Sequence, residues 1–131
     1  MKKTDRFKRI AAATEAVCQG EEEDYARKQF SLAQARQHAE KLSAIGAAPQ
    51  GAMALLPEIW CAQLTKTFAE IARLDDEVTA QARQLHMARA RRDKADERLR
   101  EARTRDRVEK EARSVEQHLE IARHASRIRL R

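Results

Sequence analysis

EIWCAQLTKTFAEIARLDDEVTAQARQLHMARARRDKADERLREARTRDRVEKEARSVEQHLEIARHASRIRLR, residues 58–131, contains neither glycine nor proline. That is 74 residues, more than half of the chain, without a helix breaker. In a helix interior Gly costs about 1 kcal/mol and Pro about 3 kcal/mol relative to Ala. The stretch is built instead from Ala, Arg, Glu, Leu, Gln and Lys, the strong helix formers. At about 1.5 Å rise per residue it predicts a helix of roughly 110 Å. Globular helices average about 10–14 residues. A helix this long cannot bury itself in a small domain, so it must pair with another helix or insert into a partner.

The only strong break lies just upstream. Both prolines and two of the three glycines fall in GAAPQGAMALLP, residues 46–57. Gly46 fits the position just past the end of a first helix, and Pro57 fits the first turn of a second. Thr4 suits the N-cap of the first helix, with Asp5 in its first turn. The expected organisation is a single unit over residues 1–131: a helix over about 4–45, a loop over about 46–56 and a helix over about 57–130. A short connection makes successive helices antiparallel neighbours. The fold class is therefore all-α, an antiparallel two-helix coiled-coil hairpin whose second helix is the longer.

Apolar stripes set the expected seam. In the first helix Phe7, Ile10, Thr14, Val17, Tyr25, Leu32, Ala35, Ala39 and Leu42 recur at three- and four-residue steps. The rhythm slips near Gly20, which reads as a stutter. In the second helix Trp60, Leu64, Thr67, Ile71, Leu74, Val78, Gln81, Leu85, Ala88, Ala95, Leu99 and Ala102 fit heptads, interrupted by Arg92. The frame breaks near 103–107 and resumes weakly as Val108, Ala112, Val115, Leu119 and Ala122. Setting Gly46 opposite Pro57 makes facing residue numbers sum to about 103. Cys18 then lies opposite Leu85, Leu32 opposite Ile71 and Tyr25 opposite Val78. The first helix is used up near Leu99, which leaves about 30 residues of the second without an internal partner.

Composition narrows the function classes. Aromatic residues make up 4% of the chain and charged residues 37%, and alanine is the largest single part of the 42% hydrophobic share. Such a chain supplies a narrow helix–helix seam and no enclosed volume for a substrate. No catalytic constellation is present. His38, His86, His118 and His124 share no metal-ligand spacing, and Glu120 with His124 reads as a surface i,i+4 pair. No glycine-rich phosphate loop occurs, so no nucleotide, cofactor or metal is expected and the chain is read as non-enzymatic. Cys18 and Cys61 are too few for a disulfide framework; each reads as a small seam residue in a reduced, cytoplasmic protein. No apolar run approaches the roughly 18 residues of a membrane span. The acidic run 21–24 reads as a solvated face, with Glu23 reaching Arg27 and Asp24 reaching Lys28. Trp60 reads as a plug for the loop end of the seam.

Net charge is +6, and all of the excess lies in residues 89–131, which hold 15 Lys or Arg against 9 Asp or Glu. A second basic spot sits at the N-terminus, with Lys2, Lys3 and Arg6. Residues 89–131 contain no aromatic, and their charges are mixed in sign. A nucleic-acid arm usually carries denser positive charge or stacking rings. Docking to a protein is therefore favoured over nucleic acid. The candidate contact set is Arg103, Arg107, Arg113, Arg123, Arg127, Arg129 and Arg131, with Val108, Val115 and Leu119 on one stripe and Lys2, Lys3 and Arg6 at the other terminus. Three readings remain open: a protein-docking adaptor, a nucleic-acid-binding basic coiled coil, and a structural or self-associating coiled coil.

The segment ARARRDKADERLREARTRDRVEKEARSVEQHLEIA, within a shorter first helix, a tight break and a longer Arg/Glu/Ala-rich second helix, resembles the stalk proteins of type III secretion. These are the FliJ family of flagellar export and the YscO family of injectisomes. The resemblance covers nearly the whole chain and rests on texture, with no invariant motif. It implies a non-catalytic coiled coil, similar to the central stalk of rotary ATPases, inserted into the pore of a hexameric export ATPase. It also implies contacts with the export gate protein and with secretion chaperones. The expected location is the cytoplasmic base of a secretion apparatus, peripheral to the membrane.

Overall fold

The computed structural model describes residues 3–47 and 57–129. Helix α1 spans Lys3–Ala47 and helix α2 spans Pro57–Arg129. No strand occurs among the described residues, and the fold is an all-α helical hairpin. The expected loop falls mostly outside the described residues. The chain forms two compact units, one of residues 16–90 and one combining residues 1–15 with 91–131.

In the 16–90 unit the two helices run antiparallel. The Trp60 indole Nε1–H donates to the Leu42 carbonyl at 2.7 Å. Farther along, Arg36 pairs with Asp75 at 3.7 Å and Arg89 with Glu22 at 3.4 Å. Cys18, Leu85 and Ala88 form a buried cluster, and Tyr25 packs against it. In the other unit the Thr4 hydroxyl donates to the Asp106 carboxylate, and Arg92 approaches Glu15 at 3.8 Å. Thr4 is thus inside the first turn and bonded across the seam, where the sequence pointed to an N-cap.

Burial repeats every seven residues along each helix. In α1 the protected positions are Thr4, Ala11, Cys18, Tyr25, Leu32 and Ala39, interleaved with Phe7, Thr14, Glu21, Lys28, Ala35 and Leu42. In α2 they are Trp60, Thr67, Leu74, Gln81, Ala88, Ala95 and Ala102, interleaved with Leu64, Ile71, Val78, Leu85, Arg92, Leu99 and Asp106. The α2 set is the one its heptads predicted, with Arg92 half-buried in the frame.

The α1 set differs from expectation. Ile10 and Val17 are exposed, at 40% and 56%, while Ala11 and Cys18 are buried, Cys18 completely. The stutter near Gly20 is absent, and the frame passes straight through. The physical reason is register. The facing α2 frame is unbroken, so a one-residue slip in α1 would rotate its stripe by about 100° away from that partner. Holding the frame costs two exposed branched side chains, while Cys18 packs in a cluster with Leu85 and Ala88.

Two polar side chains sit in the seam, and both are satisfied. Gln81 donates through Nε2 to the Glu21 carboxylate and accepts from Lys28 Nζ at 3.2 Å. The Thr67 hydroxyl donates to the Gln63 carbonyl at 2.8 Å. Such groups are tolerated because each has its partner, and a polar layer at one heptad position favours one register over its neighbours.

At the loop end Gly46 is helical, not the left-handed cap the sequence suggested; no described glycine has a positive φ. Its role is steric. A Cβ built on Gly46 would collide with the six-membered part of the Trp60 indole ring. Gly46→Ala is expected to destabilise by about 1 kcal/mol. Displacing the ring forfeits a hydrogen bond worth about 0.5–1.5 kcal/mol and part of an aromatic burial, against a helix-propensity gain of about 1 kcal/mol. Trp60 is the single tryptophan, so a red shift of its fluorescence reports the displacement directly. Unchanged emission and an unchanged or raised Tm would refute it.

Candidate protein-docking surface

The seam ends at Asp106, the last protected position on α2. Beyond it every described side chain of residues 107–129 is exposed. Leu99 was the expected end of pairing. Thr4 instead meets Asp106, so α1 covers about two further turns and the overhang starts later.

This overhang carries five large apolar side chains at half exposure or more: Val108, Val115, Leu119, Ile121 and Ile128. Val108, Val115 and Leu119 line up with Ala112 and Ala122 at steps of four and three, forming a narrow stripe on one face. The seam frame, continued past Asp106, would place Glu109, Arg113, Glu116 and Glu120 in line instead. The apolar stripe is therefore displaced by one residue, about 100° around the helix. The face that packs on α1 ends, and a different face becomes apolar.

The arginines of the candidate set are exposed but do not gather into one patch. Arg103 and Arg107 are one turn apart, as are Arg123 and Arg127, and the two pairs face different directions. Arg129 falls near the face of Arg103 and Arg107, and Arg113, two heptads before Arg127, falls near the face of Arg123 and Arg127. Arg113 is 3.9 Å from Glu109. Lys3 and Arg6 are exposed at the start of α1, where Lys3 borders Asp106, Glu109 and Arg113. Lys2 and Arg131 lie outside the described residues. Of the proposed contact set, the structure thus lines up the three apolar residues on one stripe and divides the described α2 arginines between two faces.

Other readings are settled by position. Cys61 is exposed, not a seam residue, whereas Cys18 is buried. The acidic run lies at the seam edge only in part: Glu23 is exposed, whereas Glu21, Glu22 and Asp24 are half-buried. Glu21 accepts from Gln81, Glu22 pairs with Arg89, and Asp24 pairs with Arg27 in place of Lys28. His118 contacts the Ser114 carbonyl at 2.6 Å. On the outer face of α2, Arg73 bridges Glu70 and Glu77, and its hydrogen bond holds the Glu70 carboxyl below the usual carboxylate range. Among the described residues no group of three His, Cys, Asp or Glu could hold a metal ion, and no helix is long and apolar enough to cross a membrane. Comparison with protein families, with curated proteins and with solved structures returned no match.

Proposed function

We propose that the chain is a non-enzymatic stalk or adaptor of a type III secretion export ATPase complex, flagellar or injectisome, working at the cytoplasmic base of the apparatus. The observation that carries this reading is the overhang of α2, a helix that outruns its partner and exposes an apolar stripe among arginines. A stalk needs a paired, stiff base and an end whose surface is left for another protein. The narrow stripe suits helix-in-groove docking. Arg is the side chain suited to bidentate contacts with carboxylates at an interface. The partners on this reading are a hexameric export ATPase, the export gate protein and secretion chaperones.

The test is co-sedimentation of the full chain with a purified export ATPase hexamer, beside a DNA-binding titration at several salt concentrations. Stable association with the hexamer supports the reading. No association, together with tight DNA binding that falls steeply with salt, replaces it with the nucleic-acid alternative. Reversing Arg123, Arg127 and Arg129 together is expected to slow association and raise its salt sensitivity while leaving helicity intact, because such charges act mainly on encounter.

A further inference from the structure

We infer that residues 108–126 of α2 form an antiparallel two-helix seam with the same residues of a second copy of this chain. The inference does not rest on the export reading; it concerns the purified chain alone. The overhang restarts a seven-residue repeat on a face that α1 does not use. Its apolar positions are Val108, Ala112, Val115, Leu119 and Ala122, closed by Ser126, and Val108, Val115 and Leu119 are all at least half exposed. Two apolar positions per seven make a stripe only wide enough for one further helix.

The charges beside the stripe choose the partner and its direction. One edge reads Glu109, Glu116, Arg123; the other reads Glu111, His118, Ala125. A parallel second copy would set Glu111 beside Glu116 of its neighbour twice, a like-charge contact on both sides of the pair. An antiparallel second copy sets Glu109 beside Arg123 of the other chain twice, by symmetry. Its single repulsive contact is Glu116 against Glu116 on the two-fold axis. The layers also match in size: Val115 faces Leu119, Ala112 faces Ala122, and Val108 faces Ser126. Among the described residues α1 buries no α2 side chain beyond Asp106, and its Lys3 borders Glu109, Lys110 and Arg113 only at the edge of this overlap. With four of the twelve stripe side chains alanine and two serine, the dimer is weak, populated only at high chain concentration.

Sedimentation equilibrium of the full chain tests this, from micromolar to about 1 mM, with circular dichroism as the control for helicity. The expected result is a reversible monomer–dimer equilibrium. Glu109→Arg should raise the dimer Kd about tenfold, since two attractive contacts become repulsive. Adding Arg123→Glu to it should restore the Kd to near that of the unaltered chain. Leu119→Asp should leave a helical monomer. Spin labels at Arg127→Cys in a Cys61→Ser background report direction. In the antiparallel pair the two labels lie about 20 residues apart along the axis, near 30 Å. A chain monomeric throughout, a dimer indifferent to Leu119→Asp, a charge swap that fails to rescue, or labels within about 15 Å each overturns the inference.

Discussion

Leu74→Pro is expected to abolish the paired structure of residues 16–90. Leu74 is a buried seam position in the interior of α2, far from either helix end. Proline there removes one backbone hydrogen bond and drives its ring into the preceding turn, at a cost of about 3 kcal/mol or more. It also removes a buried leucine, whose truncation alone costs about 2–5 kcal/mol. Small domains have only about 5–15 kcal/mol in total, and this one has a seam one side chain wide. The measurement is thermal unfolding by circular dichroism at 222 nm, with Phe68→Ala as the comparison. Phe68 lies on α2 at 54% exposure, so its truncation should shift stability by about 0.5 kcal/mol or less. Equal Tm values for the two variants would show that the seam does not hold the fold together.

The contrast between the helices shows what a sequence can and cannot disclose about such a seam. In α2 the frame from Trp60 to Ala102 is mostly apolar, so its heptads are legible despite Thr67, Gln81 and Arg92. In α1 the largest apolar residues near the N-terminus, Ile10 and Val17, are not the ones that face α2. Ranking by hydrophobicity favours them over Ala11 and Cys18. Only continuity with Leu32 and Ala39, counted back in sevens, picks the right pair. The burial pattern follows the frame because a packed partner constrains phase along its whole length, whereas a branched side chain in water forfeits only its own burial. The Gly46 cap failed for a related reason. A glycine near a helix end suggests a left-handed residue, but here it is the bulk of Trp60, 14 residues along the chain, that requires a missing Cβ. Local sequence does not encode that neighbour. The overhang was legible from helix lengths alone, although its start moved from Leu99 to beyond Asp106 once Thr4 was found bonded there. The arginines looked like a patch in the linear sequence, yet a helix places residues four apart together and residues six apart on different faces. Their spacing, not their number, decides what they can grip.

A chain ending at Asp106 is expected to keep its hairpin and lose its partner. The cut leaves every protected seam position in place, from Thr4 to Leu42 on α1 and from Trp60 to Asp106 on α2. Those positions hold all of the buried apolar residues among those described, so the Tm should move little. What is removed is the exposed stripe of Val108, Val115 and Leu119 and five of the described arginines of the candidate set. Because truncation deletes both the apolar contact and the charges, binding to an export ATPase should fall below detection. Charge reversal alone should instead leave a slower, salt-sensitive association. The shortened chain should also sediment as a monomer. Comparing the two losses separates the surfaces. If Leu119→Asp abolishes self-association but preserves ATPase binding, the stripe serves the second copy and the ATPase reads another face of the overhang. If the truncated hairpin still binds the ATPase as tightly as the full chain, the docking surface lies on the hairpin itself. Its exposed Phe30 and Phe68 then become the residues to alter.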